Sequence, residues 1–196
     1  IDATSSSYIL TQNDVGKTVM LTASFTDGHG TTESLTSAAT APIANIDDST
    51  SASLSVSGVP QEGSALTAAL NDISDPDGTT STAFQWQLNS GSELNPAWAD
   101  ITSASSSSFS VPDDQSYIGH TIRVVATTTD PYGGTSSFFG EPLLIANTND
   151  PPAGDLLITG SAIQGNSLSA DTSTITDPDG LGSFSYQWSS DGEIII

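Results

Sequence analysis

TIRVVATTTD, residues Thr121–Asp130, sets an apolar side chain at every second position: Ile122, Val124 and Ala126. A period of two belongs to a strand with one buried face, because successive side chains leave a pleated backbone on opposite sides. The same stretch stands 103 residues earlier as TVMLTASFTD (Thr18–Asp27), with Val19, Leu21, Ala23 and Phe25 in alternation. One strand written twice makes an internal repeat the first thing to test.

The landmarks around that strand recur as well. Leu54-Ser55-Val56-Ser57-Gly58 returns 102 residues later as Leu156-Leu157-Ile158-Thr159-Gly160. Asp75-Pro76-Asp77-Gly78 returns as Asp177-Pro178-Asp179-Gly180, Phe84-Gln85-Trp86 as Tyr186-Gln187-Trp188, and Ile43-Ala44-Asn45 as Ile145-Ala146-Asn147. The phase divides the chain in three. Residues 1–46 match only the C-terminal half of a unit, 47–148 form a complete unit, and 149–196 match only an N-terminal half. The linkers, 44–48 and 146–152, are short and polar, and Pro151-Pro152 stiffens the second, so successive units should be coaxial.

Within the complete unit the pattern predicts strands at 52–58, 64–70, 82–89, 120–129 and 135–146, with a weak signal through 96–111. Turn residues punctuate the runs. Nothing reads as a helix. The expected fold is all-β: tandem antiparallel β-sandwiches, one complete and two half units. Leu54, Val56, Leu66, Phe84, Trp86, Ile122, Val124 and Ala126 should be buried, and Trp86 and Trp188 should fill the space between the sheets.

Composition narrows the function. The 23 acidic residues face only Lys17 and Arg123, for a formal charge of −21, and there is no cysteine. Two cations cannot neutralise a run of phosphates, so nucleic acid and anionic membranes are excluded as partners. No apolar run reaches the ~18 residues of a membrane span. Ile1-Asp2-Ala3-Thr4 has neither the basic nor the apolar region of a signal peptide, which suggests a mature fragment or an excerpt of something longer.

The acidic turns carry the strongest chemical signal. Asp75 and Asp77 stand two residues apart before Gly78, and sandwich topology puts Asp130 and the linker residues Asp47 and Asp48 at the same end. Clustered carboxylates with backbone carbonyls suit Ca2+, which takes six to eight oxygens. A second such site is expected around Asn149, Asp150, Asp177 and Asp179, with Asp27 contributed by another copy. A solvated turn would use the same residues for local hydrogen bonds. An EF-hand is ruled out, since its twelfth position would be Trp86. Gly16-Lys17-Thr18 imitates the end of a phosphate loop, but a strand follows it instead of a helix. His29 and His120 lie in a turn and at a strand start, without a nucleophile elbow. The paired carboxylates, taken as solvent-facing, have nothing to raise one pKa for glycoside hydrolysis. Trp98 reads either as a sugar-stacking platform or as packing over the core.

The QW pair, DVGKT before the next strand, TDGHG at a hairpin, and SLTSAATAPIAN leading into an acidic linker resemble the tandem Ig-like, cadherin-like repeats of giant secreted bacterial adhesins. The resemblance spans essentially the whole chain. It implies a non-enzymatic extender module at the bacterial cell surface, rigidified by calcium. The alternative is a carbohydrate- or protein-binding adhesion module, with a surface glycan or protein as target.

The partial units predict a partner. Together they hold 94 residues against 102 in the complete unit. Reading Ile196 into Ile1 puts both ends in the same loop, after the third strand. Three strands cannot bury both inner faces of a sandwich. Neighbouring copies should therefore complement each other head to tail, as a continuous polypeptide or by strand exchange.

Overall fold

Alternation along Thr121–Thr129 places Ile122, Val124, Ala126 and Thr128 in the interior, with half-buried residues between them. The computed structural model describes residues 3–79, 81–92 and 94–194. Ile1, Asp2, Ile195 and Ile196, at which the partial units would abut, lie outside the described residues. In chain order the strands are β1 (Thr22–Thr26), β2 (Thr32–Thr36), β3 (Ser51–Ser57), β4 (Ala65–Ser74), β5 (Ser81–Asn89), β6 (Trp98–Asp100) and β7 (Ser108–Ser110). They continue as β8 (Thr121–Thr129), β9 (Thr135–Phe139), β10 (Leu143–Leu144), β11 (Leu157–Gly160), β12 (Leu168–Asp171), β13 (Ser189–Ser190) and β14 (Glu193–Ile194). One 3-10 turn, Gln12–Asp14, is the sole helical element among the described residues.

In the middle of the chain, β3-β4-β7 form one sheet, and β6-β5-β8 form another with β9 and β10 along the outer edge of β8. The strand expected at 135–146 is broken in two. Gly140 donates its N–H to Val124 O at 2.8 Å, and Pro142 has no N–H to offer the ladder. The weak signal through 96–111 resolves into β6 and β7, three residues each.

Both sheets feed one core: Leu66, Phe109, Trp86, Ile122, Val124 and Ile145. Burying an apolar side chain of this size contributes about 1.5–3 kcal/mol. Trp86 stacks on Phe109 with ring centroids 5.5 Å apart, and its Nε1–H donates to Ser106 O at 3.0 Å. The indole therefore enters the core with its one polar group satisfied. Leu54, Val56 and Phe84, expected inside, are half-buried and pack against the margin of this cluster. For Leu54 and Val56 the cause is position, since β3 is an edge strand.

The end regions repeat the local structure without the core. The β11–β12 ladder sets Ile158 against Ala170 and Thr159 against Ser169, the register of Val56/Ala68 and Ser57/Thr67 shifted by 102 residues. Gly160 (φ +110°) and Gly58 (φ +109°) turn the chain alike, and at each a Cβ would collide with a backbone carbonyl oxygen. Residues 183–188 correspond to β5 yet form no strand, and Trp188 is 36 % exposed instead of filling a core. The reason is pairing: β5 is held by eight rungs to β8, and 183–188 has no such neighbour among the described residues. At the other end β1 pairs, among the described residues, only with β2, and every residue of both is exposed.

Candidate metal centre

The turn after β4 and the turn after β8 meet the incoming linker at one end of the middle sandwich. There Asp47, Asp77 and Asp130 each direct a carboxylate oxygen into a group whose atoms lie within 4.8 Å of one another. Asp77 and Asp130 are buried, at 7 % and 5 % exposure. These three can hold a metal ion.

Local hydrogen bonds orient each carboxylate. Oδ1 of Asp130 accepts from the N–H groups of Tyr132 (2.6 Å) and Gly134 (3.0 Å), which closes the β8–β9 turn. Oδ2 is left facing Asp47. Gly134 lets the linker approach: a Cβ there would overlap both Asp47 Oδ1 and Asp130 Oδ2. Asp77 Oδ2 accepts the N–H of Asp48 at 2.7 Å, while Oδ1 is buried without a hydrogen-bond partner among the described residues. A buried, unpaired carboxylate oxygen is costly, and a cation beside it removes the cost.

The charges are correspondingly strained. The carboxyl of Asp47 is pushed above the usual carboxylate range, first by its hydrogen bond to Asp130, then by burial and by the charges of Asp130, Asp77 and Asp75. Burial pushes Asp130 upward too, but the Tyr132 and Gly134 N–H groups and the bond with Asp47 outweigh it and hold Asp130 low. The turns are therefore not solvent-facing, and the expectation that nothing there raises a pKa is corrected. The alternating pattern of β8 carries Asp130 inside, a consequence its sequence contains.

Two other expected residues support the group from outside it. Asp75 spends Oδ1 on the N–H of Asp77 (2.9 Å) and Oδ2 on the hydroxyl of Thr50 (2.5 Å). Asp48 acts here through its backbone.

The second junction repeats the local hydrogen bonds of the first, but among the described residues Asn149, Asp150, Asp177 and Asp179 do not form a metal-sized group like that of Asp47, Asp77 and Asp130, and Asp179 is exposed. Asp179 Oδ2 accepts the N–H of Asp150 at 2.7 Å, Asp177 Oδ1 accepts the N–H of Asp179 at 2.9 Å, and Gly180 N–H reaches Asp177 O at 3.0 Å as Gly78 reaches Asp75. Asn149 stands where the first junction has Asp47. Asp27 sits in a turn built like that of Asp130, its Oδ1 accepting from His29 and Thr31 N–H at 2.8 Å each. The structure does not bring Asp27 into a metal-sized group with Asp177 and Asp179.

Several junction residues have no chemical role in the sequence reading. Glu62, buried at 2 %, accepts the N–H of Gln115 at 2.8 Å. The Gln115 side chain then spans to Asp150 (3.0 Å) and Asp179 (3.1 Å), and Asn147 donates to Asp179 at 2.8 Å. At the first junction Gln12 bonds Asn45 at 3.2 Å. The signal was available: Gln12 and Gln115 share the 103-residue offset, and Asn45 and Asn147 the 102-residue one.

Trp98 lies on β6 with the Arg123 guanidinium over its ring at 4.3 Å, and Phe139 flanks the same cation at 4.8 Å. They line an open cleft of about 490 Å³. No helix among the described residues is long and apolar enough to cross a membrane. The chain matches no family model, and no curated protein or solved structure matches it significantly.

Proposed function

We propose that the chain is a structural repeat: part of an extracellular stalk or filament on a bacterial surface, whose successive sandwiches are held in line by calcium at each junction. The carrying observation is that Asp77 Oδ1 is buried and, among the described residues, unpartnered beside Asp47 and Asp130, in a turn whose linker-to-carboxylate bond, Asp48 N–H to Asp77, recurs 102 residues later as Asp150 N–H to Asp179. Oxygen-only donors favour a hard cation, and Asp47, Asp77 and Asp130 would hold it. Neutralising them also relieves the self-repulsion of a −21 chain. A spacer accounts for the repetition better than an enzyme does.

The test is thermal unfolding in calcium, in magnesium and in EDTA, on the wild type and on Asp77→Asn/Asp130→Asn. Calcium should raise the melting temperature of the wild type and leave the double variant unmoved. An unchanged wild-type melting temperature in EDTA overturns the reading. The Trp98–Arg123–Phe139 cleft supports a second reading, glycan or protein recognition, which a glycan array with the wild type and Trp98→Ala would test.

A further inference from the structure

We infer that the cleft at Trp98, Arg123 and Phe139 binds a carboxylate-bearing sugar, whose carboxylate is taken by the Arg123 guanidinium. The inference rests on the recognition reading of that cleft and is independent of the calcium reading. Ile122, Val124 and Ala126 point inward, so Arg123 lies half-buried on the outer face of the sheet. It is the only Lys or Arg of residues 47–148, in a chain with 23 acidic residues. Yet no carboxylate among the described residues pairs with it. Its Nε–H donates to the amide oxygen of Gln87 at 2.9 Å, and Gln87 in turn donates from Nε2 to Asp100 at 2.8 Å. Both Nη groups are without an acceptor among the described residues.

Two rings hold this cation in place, Trp98 at 4.3 Å and Phe139 at 4.8 Å. A guanidinium packed against aromatic rings keeps its planar fork for hydrogen bonding, and a carboxylate matches that fork with two parallel N–H···O bonds. One face of the indole is already given to Arg123, so Trp98 positions the cation instead of offering that face to a neutral sugar. The rest of the cleft suits hydroxyl groups. Asn89, buried at 6 %, accepts the N–H groups of Gly91 and Ala97 at 2.9 Å each and donates to Thr121 Oγ1 at 3.3 Å. The Thr121 hydroxyl hydrogen is left without an acceptor among the described residues. Glu141, exposed on the rim, supplies an acceptor. A bare anion meets Glu141 as repulsion, whereas a sugar acid brings it hydroxyl donors. The cleft, at about 490 Å³, has the size of a small-molecule site. A singly charged sugar also meets less repulsion from a −21 chain than a polysulfated one does.

NMR titration of the isotope-labelled full chain, followed at the Trp98 indole N–H, tests this. The probes are methyl glucuronide and a methyl sialoside, set against methyl glucoside, acetate and sulfate. At least one carboxylated sugar should give a saturable shift, and methyl glucoside and acetate should bind about tenfold more weakly, the worth of roughly one charge-assisted hydrogen bond. Arg123→Lys keeps the charge but loses the fork, and should weaken that sugar about tenfold. Glu141→Gln should narrow the gap between the sugar and acetate. The main unfolding transition of each variant reports that the sandwich is retained, and Glu141→Gln, on the exposed rim, carries the test where Arg123→Lys unfolds. The inference is overturned by the absence of a saturable shift with both carboxylated sugars, or by unchanged affinity in a folded Arg123→Lys. It is equally overturned by methyl glucoside, acetate or sulfate binding as tightly as the sugar acids. A glycan array in which Trp98→Ala removes the binding of neutral glycans would then leave the recognition reading standing, whereas an array silent for the wild type as well would remove both.

Discussion

Trp86 and Trp188 sit in nearly the same sequence, Phe84-Gln85-Trp86 and Tyr186-Gln187-Trp188, one repeat apart. The first lies in a nine-residue strand, stacked and dry; the second lies in a segment with no ladder among the described residues. Sequence-local forces are equal in the two places, so the difference measures what the later strands of a repeat do for the earlier ones. Hairpins and turns survive without that help, as β11–β12 and the Asp177–Gly180 turn demonstrate. Strands whose only partners are distant in sequence do not. Burial follows pairing, and both depend on which half of the repeat is opposite.

Mutation should expose that asymmetry most strongly at the two tryptophans. Trp86→Ala should cost the middle sandwich about 3–5 kcal/mol, read as a shifted denaturant midpoint. Trp188→Ala in dilute protein should stay within about 0.5 kcal/mol. Equal losses would break the comparison. Calcium comes next. Saturation to a hundred times the dissociation constant should add about 2.7 kcal/mol to the middle unit, and Asp47→Asn should remove most of that gain, since it takes away one of the three carboxylates that face the site. Gly134→Ala should abolish much of the calcium response, because its Cβ takes the space of the Asp47 carboxylate; an unaltered response would show that Asp47 is not a ligand.

The glycines sharpen the contrast at lower magnitude. Gly58→Ala and Gly160→Ala carry the same steric conflict, of roughly 1–3 kcal/mol for a residue forced into so sparse a backbone region. Gly58→Ala should lower the main unfolding transition. Gly160→Ala should leave that transition in place and remove hydrogen-exchange protection from β11–β12 only.

How much of this was legible follows from range. The period-two run of β8 announces its element, because it has a buried face along its whole length, while β4 and β5 show it only where Leu66, Ala68 and Trp86 enter the core. β6 and β7 are too short for a period to show, and of the break between β9 and β10 the sequence shows Pro142 but not the Val124 contact of Gly140. The acidic junction was readable as a convergence of Asp47, Asp77 and Asp130. Its depth was not, because burial of Asp77 depends on Asp48 donating a backbone N–H across 29 residues. The brace from Glu62 through Gln115 escaped for a similar reason: a buried glutamate looks like any surface acid until its partners are placed.

The bridge between Gln61 and Ala146 is parallel, reinforced by Ala146 N–H to Pro60 O and Glu62 N–H to Ala146 O, both at 3.0 Å. It lies at the exit of the middle sandwich, one length of β4 from the entrance, or roughly 30 Å at about 3.3 Å per strand residue. A pull on the two linkers drags the first and last strands past each other in opposite directions. These hydrogen bonds are then strained together, in shear, and none can open before its neighbours as in a peeling hairpin. Tension applied to the two linkers of the middle unit thus meets its resistance at this clasp, where mechanical yield should begin.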